Sequence, residues 1–419
     1  MESDAIRLSH PTKSLQGTVE LTGSKSESNR ALIIQAWGGD RVEVSNLSSA
    51  ADTETLKQAL NSVAAARGGK ETTVIDIGPA GTAMRFLTAY LTTATGRYLL
   101  TGSERMKQRP IGILVDALRA LGADIAFEGQ AGYPPLAING GFTQTMDKVT
   151  VKGNVSSQYL SALLLIAPTL PEGLRLQIDG ELTSRPYLTM TLDMLHDAGI
   201  QHSWQDDTIY IAPQKAQHCR LTIEPDWSAA SYWYAMVALS RDAQLFLPNL
   251  KSQSLQGDAA IADIMAHFGV ASSFTDGGLL IRKVTDSPST EINVLDFKEC
   301  PDLAQTVIVC AAALRRDLSF TGLHTLKIKE TDRIAALQNE LGKFGIKLLE
   351  EGDVYHLKTG ELQQPKRLSF DTYEDHRMAM AFAPLALAFD GIQINEPHVV
   401  EKSYPDFWKH LKQHGFVIT

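Results

Sequence analysis

The densest group of chemically capable residues is Lys329-Glu330-Thr331-Asp332-Arg333, in which two cations frame two carboxylates. A carboxyl group beside fixed cations suits proton transfer to or from an anionic substrate. Asp302, directly after Pro301, offers a further carboxylate. Arg105-Met106-Lys107-Gln108-Arg109-Pro110 carries three cations, and Arg109 has the planar fork that grips a carboxylate or phosphate through two hydrogen bonds. Gly23-Ser24-Lys25-Ser26 has the small polar residues of a phosphate loop, but lacks the earlier spaced glycine of a nucleotide-binding Walker sequence. Asp375-His376-Arg377 opens an apolar run.

Each segment taken singly also has a plain structural explanation. Ser24, Asp302 and Asp332 are all good helix N-caps, and a run such as Arg105 to Arg109 is commonly a solvated face. What those explanations leave over is the arginines. Arg30, Arg85, Arg333 and Arg377 are expected in or just before the first turn of helices, where a cation opposes the positive end of the helix dipole. An anion bound there reverses the sign of that effect, and helix N-termini are ready donors to phosphate and carboxylate.

These residues need elements to hold them, and a loose pattern supplies them: a short strand, a small polar turn, then an apolar helix. The strands are expected at Gly17–Leu21, Thr73–Ile77 and Val149–Val151 in the first half, then at Leu221–Ile223, Ile292–Leu295 and Leu368–Phe370. The helices follow to Trp37, Ala94, Ala167, Leu239, Leu314 and beyond Ala381. Further amphipathic helices are expected around Ile111 to Leu121 and Ile334 to Leu341. Three copies in each half predict an α/β protein of two similar domains, with the change of half near Glu224 to Asp226.

Composition narrows the function classes. A net charge of −9 argues against a general nucleic-acid or anionic-membrane surface, yet leaves room for a local cationic site. The three cysteines, Cys219, Cys300 and Cys310, have neither a disulfide framework nor metal-ligand spacing. A reducing cytoplasm is expected. Met1-Glu2-Ser3-Asp4 lacks the features of a signal peptide, and the longest apolar run, Met378 to Phe389, is too short to cross a bilayer.

The motifs together carry a family resemblance. Gly23 to Ser26 with Asn29-Arg30, Ala80-Gly81-Thr82-Ala83-Met84-Arg85, Arg105 to Pro110, Ser156-Ser157-Gln158, Lys329 to Arg333 and Asp375 to Met380 occur in one order across nearly the whole chain. In this the chain resembles the EPSP synthases, a family of enolpyruvyl transferases. The resemblance implies two domains, each of three βαβαββ units about a pseudo-threefold axis, with an active site in the interdomain cleft that closes on substrate. It divides the chain into 15–226 against 1–14 plus 227–419, the former mainly binding 3-phosphoshikimate and the latter carrying acid, base and phosphoenolpyruvate contacts.

Residue roles follow from the resemblance alone. It implies Asp302, Lys329 and Glu330 as catalytic groups, with Glu330 the acid at carbon and Asp302 with Lys329 activating the hydroxyl. It implies contacts to 3-phosphoshikimate from Lys25, Ser26, Arg30, Ser156, Ser157, Gln158, Ser184, Tyr187, Asp302 and Lys329. For phosphoenolpyruvate it implies Lys25, Gly81, Arg109, Gln158, Arg333, Arg377 and Lys402, the last within Glu401-Lys402-Ser403-Tyr404-Pro405-Asp406. No metal and no cofactor are implied, and a cytoplasmic monomer is expected, with no nucleic-acid or membrane partner. Pro79, Phe86 and Thr325 depart from the commonest pattern of the family, without loss of charge. The family's inhibitor glyphosate is expected to compete with phosphoenolpyruvate. Two other readings remain open at this point. One is the sister transferase acting on UDP-N-acetylglucosamine, whose reactive loop cysteine has no counterpart near Arg105 to Pro110. The other is a non-catalytic binder of phosphate ligands on the same fold.

Overall fold

In a computed structural model, residues 5–66, 69, 71–284, 292–365 and 367–419 are described. Residues 1–4, on which the expectation of no leader rests, lie outside them. The chain forms two compact units, Met1–Thr22 with Glu224–Thr419, and Gly23–Ile223.

Among the described residues, five four-stranded sheets repeat one pattern: a parallel pair, then two strands added antiparallel. In the Gly23–Ile223 unit these are Thr72–Asp76, Gly96–Thr101, Leu136–Gly140 and Asp124–Phe127, in that spatial order, and Lys148–Lys152, Leu174–Asp179, Thr208–Ile211 and His202–Gln205. The other unit has Ser14–Thr18, Asp242–Pro248, Gly278–Lys283 and Val270–Thr275 in one sheet, and Val294–Asp296, Leu318–Thr321, Val354–Lys358 and Lys347–Glu351 in another. Its third sheet runs Ser369–Phe370, Ile392–Asn395, Ala5–Ser9 and Val417–Ile418, so the two ends of the chain complete it. A parallel pair needs a crossover, and helices supply it. The sixth sheet is only a parallel pair, Val42–Ser45 with Cys219–Thr222.

Burial alternates along strands such as Lys148–Lys152 and Leu174–Asp179, because successive side chains point to opposite faces and only one face is covered. The cover is helical. Helices Gly81–Thr93, Ser157–Ile166, Trp227–Leu239 and Ala304–Ala313 are apolar on nearly every side and buried to match. Gly81–Thr93 packs against Ser157–Ile166, and Trp227–Leu239 against Ala304–Ala313.

Two of the expected strand–helix copies are divided between the units. The strand expected at Gly17–Leu21 is Ser14–Thr18 and pairs with Asp242–Pro248, whereas the helix after it, Lys25–Gly38, belongs to the Gly23–Ile223 unit. Conversely, Cys219–Thr222 pairs with Val42–Ser45, and the helix after it, Trp227–Leu239, lies in the other unit. Adjacency in sequence cannot reveal this exchange, since the pairing partners lie more than a hundred residues away.

Candidate active site

In the Gly23–Ile223 unit the site begins at helix N-termini. Ser24 caps helix Lys25–Gly38 by accepting from Glu27 N, and Ser156 caps Ser157–Ile166 by accepting from Gln158 N. Helix Gly81–Thr93 starts at Ala80 with no side-chain cap, which leaves its first amide groups to other acceptors. Gln158 Nε2 donates to Thr82 Oγ1 at 3.1 Å, tying the starts of two helices together. Ser157 is half-buried beside Gln158, and Ser184 precedes helix Arg185–Asp197 with φ of 57°. Lys25 pairs at 3.0 Å with Asp52, a buried carboxylate in helix Ala51–Ala66.

Arg30 and Arg85 are not in first turns as expected; they are the sixth and fifth residues of their helices. Helical side chains slant toward the N-terminus, so both guanidinium groups still return to the first turn. There Arg30 Nη1 donates to Ser26 O at 2.9 Å, and Arg85 Nη1 to Gly81 O at 3.2 Å. Arg30 also donates to Thr191 Oγ1 at 2.8 Å, and to Ser161 Oγ and Tyr187 O at 3.2 Å each. Burial pulls its guanidinium down to about 10, which leaves it charged at neutral pH.

Arg109 differs. It is 8% exposed, yet its guanidinium has no hydrogen-bond partner among the described residues, and Nε is wholly buried. Its head lies against Gly81. A Cβ built there would stand 2.6 Å from Arg109 Nη1 and 3.1 Å from Cζ, so only glycine admits the guanidinium at this distance. A buried cation with its donors unused is poised for an anion.

In the other unit, charges meet charges. Arg333, the first residue of helix Arg333–Gly342, is 1% exposed. Its Nε donates to Asp375 Oδ2 at 2.7 Å, Nη1 to Asp302 Oδ1 at 3.1 Å and Nη2 to Glu330 Oε2 at 2.8 Å. Lys402 reaches Glu330 Oε1 at 3.1 Å, and Lys329 reaches Asp302 Oδ1 at 3.6 Å. Arg377 donates through Nη2 to Asp302 Oδ2 at 2.8 Å and through Nη1 to the Tyr232 hydroxyl at 3.3 Å. The capping explanation of this segment also holds: Asp332 accepts from Ile334 N and Ala335 N.

The electrostatics follow from that geometry. Burial works against ionisation of Asp302, but Arg377, Lys329 and Arg333 outweigh it and hold the carboxyl far below the ordinary range. Burial likewise works against the charge of Arg333, and Asp375, Glu330 and Asp302 overcome it. Burial pushes the Tyr232 hydroxyl up to about 12, so it keeps its proton while accepting from Arg377.

The structure thus gathers Asp302, Lys329, Glu330, Arg333, Arg377 and Lys402 into one network, and joins Gly81 with Arg109, Gln158 with the Gly81 helix, and Ser26 with Arg30 and Tyr187. Three residues escaped the sequence reading as site members. Asp375 is fully buried, caps helix His376–Phe382 through Arg377 N and clamps Arg333; its place before His376-Arg377 was the available signal. Asp52, the partner of Lys25, and Tyr232, the partner of Arg377, had no such signal. Among the described residues no group of His, Cys, Asp and Glu has the geometry of a metal site, and no helix is long and apolar enough to cross a membrane.

The model of the family EPSP synthase (3-phosphoshikimate 1-carboxyvinyltransferase) matches residues 9–411. A 3-phosphoshikimate 1-carboxyvinyltransferase of Bacteroides fragilis (strain YCH46) is 48% identical over 414 residues, covering 98% of both chains. One from Aliivibrio fischeri (strain MJ11) is 34% identical, covering 96% of this chain and 98% of its own. A solved EPSP synthase structure from Acinetobacter baumannii superposes with a TM-score of 0.76 over 99% of each chain at 20% identity, which speaks for the fold. With fold, motifs and relatives in accord over nearly its full length, the chain belongs to the EPSP synthase family.

Proposed function

We infer that this enzyme transfers the carboxyvinyl group of phosphoenolpyruvate to the 5-hydroxyl of 3-phosphoshikimate, in the shikimate pathway. The observation that carries the reading is the network around Arg333, which sets two candidate proton carriers among four cations. The 5-oxygen adds to C2 of phosphoenolpyruvate as its proton leaves and a proton arrives at C3. The tetrahedral species then loses phosphate from C2 and a proton from C3, restoring the double bond. This chemistry is balanced by proton transfer alone and requires no redox step.

In this reading Asp302, kept ionised by its cations, takes the hydroxyl proton with Lys329 beside it. Glu330 gives the proton to C3. Its oxygens face Arg333 and Lys402; an anionic substrate that recruits those cations weakens their hold on the carboxylate and favours its protonation. Arg333, Arg377 and Lys402 are proposed to hold phosphoenolpyruvate, and Lys25, Gly81, Arg109 and Gln158 are proposed as further contacts to it. Lys25, Ser26, Arg30, Ser156, Ser157, Gln158, Ser184 and Tyr187, with Asp302 and Lys329, hold 3-phosphoshikimate. The unused donors of Arg109 support its role most directly. The reading includes cytoplasmic action as a monomer, with no nucleic-acid or membrane partner.

The test is phosphate release from phosphoenolpyruvate, with and without 3-phosphoshikimate, after thorough chelation. Release only with both substrates is expected. Turnover with UDP-N-acetylglucosamine in place of 3-phosphoshikimate, or none with either acceptor, defeats the reading.

A further inference from the structure

A second carboxylate stands behind Arg377. Asp258 is 5% exposed and sits in the turn Gly257–Ala260. One oxygen, Oδ2, accepts from the Ser228 hydroxyl; the other, Oδ1, is buried without a partner among the described residues. Ser228 Oγ in turn accepts from Arg377 Nη2 at 3.4 Å, the same nitrogen that donates to Asp302. A serine hydroxyl has one proton. With that proton committed to Asp258, the lone pairs of Oγ are turned toward the guanidinium.

The turn bearing Asp258 is itself fastened. Gln256 Oε1 accepts from Trp227 N at 2.8 Å and its Nε2 donates to Pro225 O at 2.9 Å, clasping the start of helix Trp227–Leu239 on which Ser228 sits. Ser254 Oγ donates to Glu224 Oε2 at 2.6 Å, and Glu224 Oε1 accepts from Trp227 Nε1 at 2.8 Å. The segment 254–258 is thereby built around one helix start, and its last residue is a buried acid that no step of the mechanism uses. Burial pushes the Asp258 carboxyl up to about 6, with Asp302 and Asp226 adding to the shift and Arg377 and Ser228 opposing it.

We propose that Asp258 and Ser228 form a positioning relay for Arg377, fixing the rotation of its guanidinium and so its grip on phosphoenolpyruvate. The relay accepts from Arg377 Nη2, the nitrogen that also donates to Asp302, and so keeps a hold on the guanidinium when Asp302 exchanges contacts during the proton transfers. Removal of the relay costs binding of phosphoenolpyruvate and leaves 3-phosphoshikimate binding in place. The proposal rests on the phosphoenolpyruvate role assigned to Arg377 above.

The experiment is steady-state kinetics on Asp258→Ala, Asp258→Asn, Ser228→Ala and the Asp258→Ala/Ser228→Ala double variant. Expected are a roughly tenfold rise in KM for phosphoenolpyruvate in each alanine variant, a kcat within about threefold of wild type, and an unchanged KM for 3-phosphoshikimate. The double variant should be no worse than the worse single one, and Asp258→Asn, which keeps an acceptor for Ser228, should recover most of the loss. Should Asp258→Ala fail to fold, Ser228→Ala and Asp258→Asn decide the matter through the same KM values. Multiplying effects in the double variant, equal losses for both substrates, or lowered melting temperatures with unmoved KM values overturn the relay. An inert wild type defeats the functional reading itself, whereas an active wild type with unaffected variants defeats the relay alone.

Discussion

The two units meet the cost of buried arginines in opposite ways. Around Arg333 every guanidinium nitrogen faces a carboxylate: Asp375, Asp302 or Glu330. Around Arg30 the acceptors are neutral, namely Ser26 O, Tyr187 O, Ser161 and Thr191. Arg109 has not even those. A cation matched by carboxylates is tied into proton chemistry and gives up little net field. A cation held by carbonyls and hydroxyls keeps its field for a ligand, at some expense to the stability of the empty protein. The unit carrying the proposed acid and base therefore uses the first arrangement, and the unit proposed to hold the 3-phosphate uses the second.

The largest expected effect falls on the proton carrier. Glu330→Gln keeps the shape and one acceptor, losing one of the contacts to Arg333 and Lys402, and cannot deliver a proton, so kcat should fall by about 10²- to 10⁴-fold. Binding of 3-phosphoshikimate, measured by calorimetry, should stay within about threefold. Near-normal turnover would remove Glu330 from the acid role.

Stability sharpens the contrast between arginines. Arg333→Ala takes from the buried Asp375 its arginine, while Asp302 keeps Arg377 and Lys329, and should cost about 3–5 kcal/mol in urea unfolding. Arg109→Ala removes a buried charge that has no partner, and should leave the unfolding midpoint of the ligand-free protein unchanged or raise it. The same Arg109 variant should raise KM for phosphoenolpyruvate by about 10- to 100-fold, as expected for a lost charged contact of about 1.5–3 kcal/mol. If Arg109→Ala destabilises as Arg333→Ala does, the distinction drawn between the two units is wrong.

Acid should separate them in the same direction. The folded-state value of Asp302 lies below its unfolded value, near 3.9, so its contribution is fully present above the unfolded value, declines as pH falls below it, and is gone once pH has fallen through the folded value. The midpoint of urea unfolding should decline below about pH 4 for the wild type, and this decline should be shallower in Asp302→Asn. A decline of equal slope in both proteins would mean that other carboxylates carry the acid sensitivity.

Much of this site was legible because the family's motifs sit at helix starts, where capping residues also mark the boundary; Ser24 and Asp332 cap as expected, whereas Asp302, expected as a cap, caps neither Pro301–Leu303 nor Ala304–Ala313 and instead accepts from Arg333 and Arg377. The illegible part is what depends on partners distant in the chain. Asp52 lies 27 residues from Lys25, and Tyr232 lies 145 from Arg377. Arg30 and Arg85 show a subtler limit. Their helices begin one turn earlier than their charges suggest, and only side-chain direction brings the charge back to the terminus. The exchange of strands Ser14–Thr18 and Cys219–Thr222 between units was hidden for a third reason: strand pairing is a property of the whole sheet, and neither segment encodes its neighbour.

The smallest effect is expected at Gly81, where the two functions of a glycine can be told apart. The added methyl of Gly81→Ala would meet the Arg109 guanidinium at 2.6 Å from Nη1. That group is the far end of a flexible side chain, so it can retreat by part of an ångström at small cost. The site is also fully buried at the first turn of helix Gly81–Thr93, where alanine suits the backbone. We therefore expect a stable variant whose KM for phosphoenolpyruvate rises only a few-fold, about 1 kcal/mol or less. Glyphosate, which is longer than phosphoenolpyruvate and is proposed to occupy the same place, should lose more, since the methyl remains in the space the longer molecule needs. Paired inhibition and substrate curves on wild type and variant measure both losses at once. Equal losses would mean that the methyl acts only by displacing Arg109, a contact the two anions share. A larger loss for glyphosate would mean that the space beside Arg109 is read by ligand length, and that this unit selects by steric room as well as by its unmatched charge.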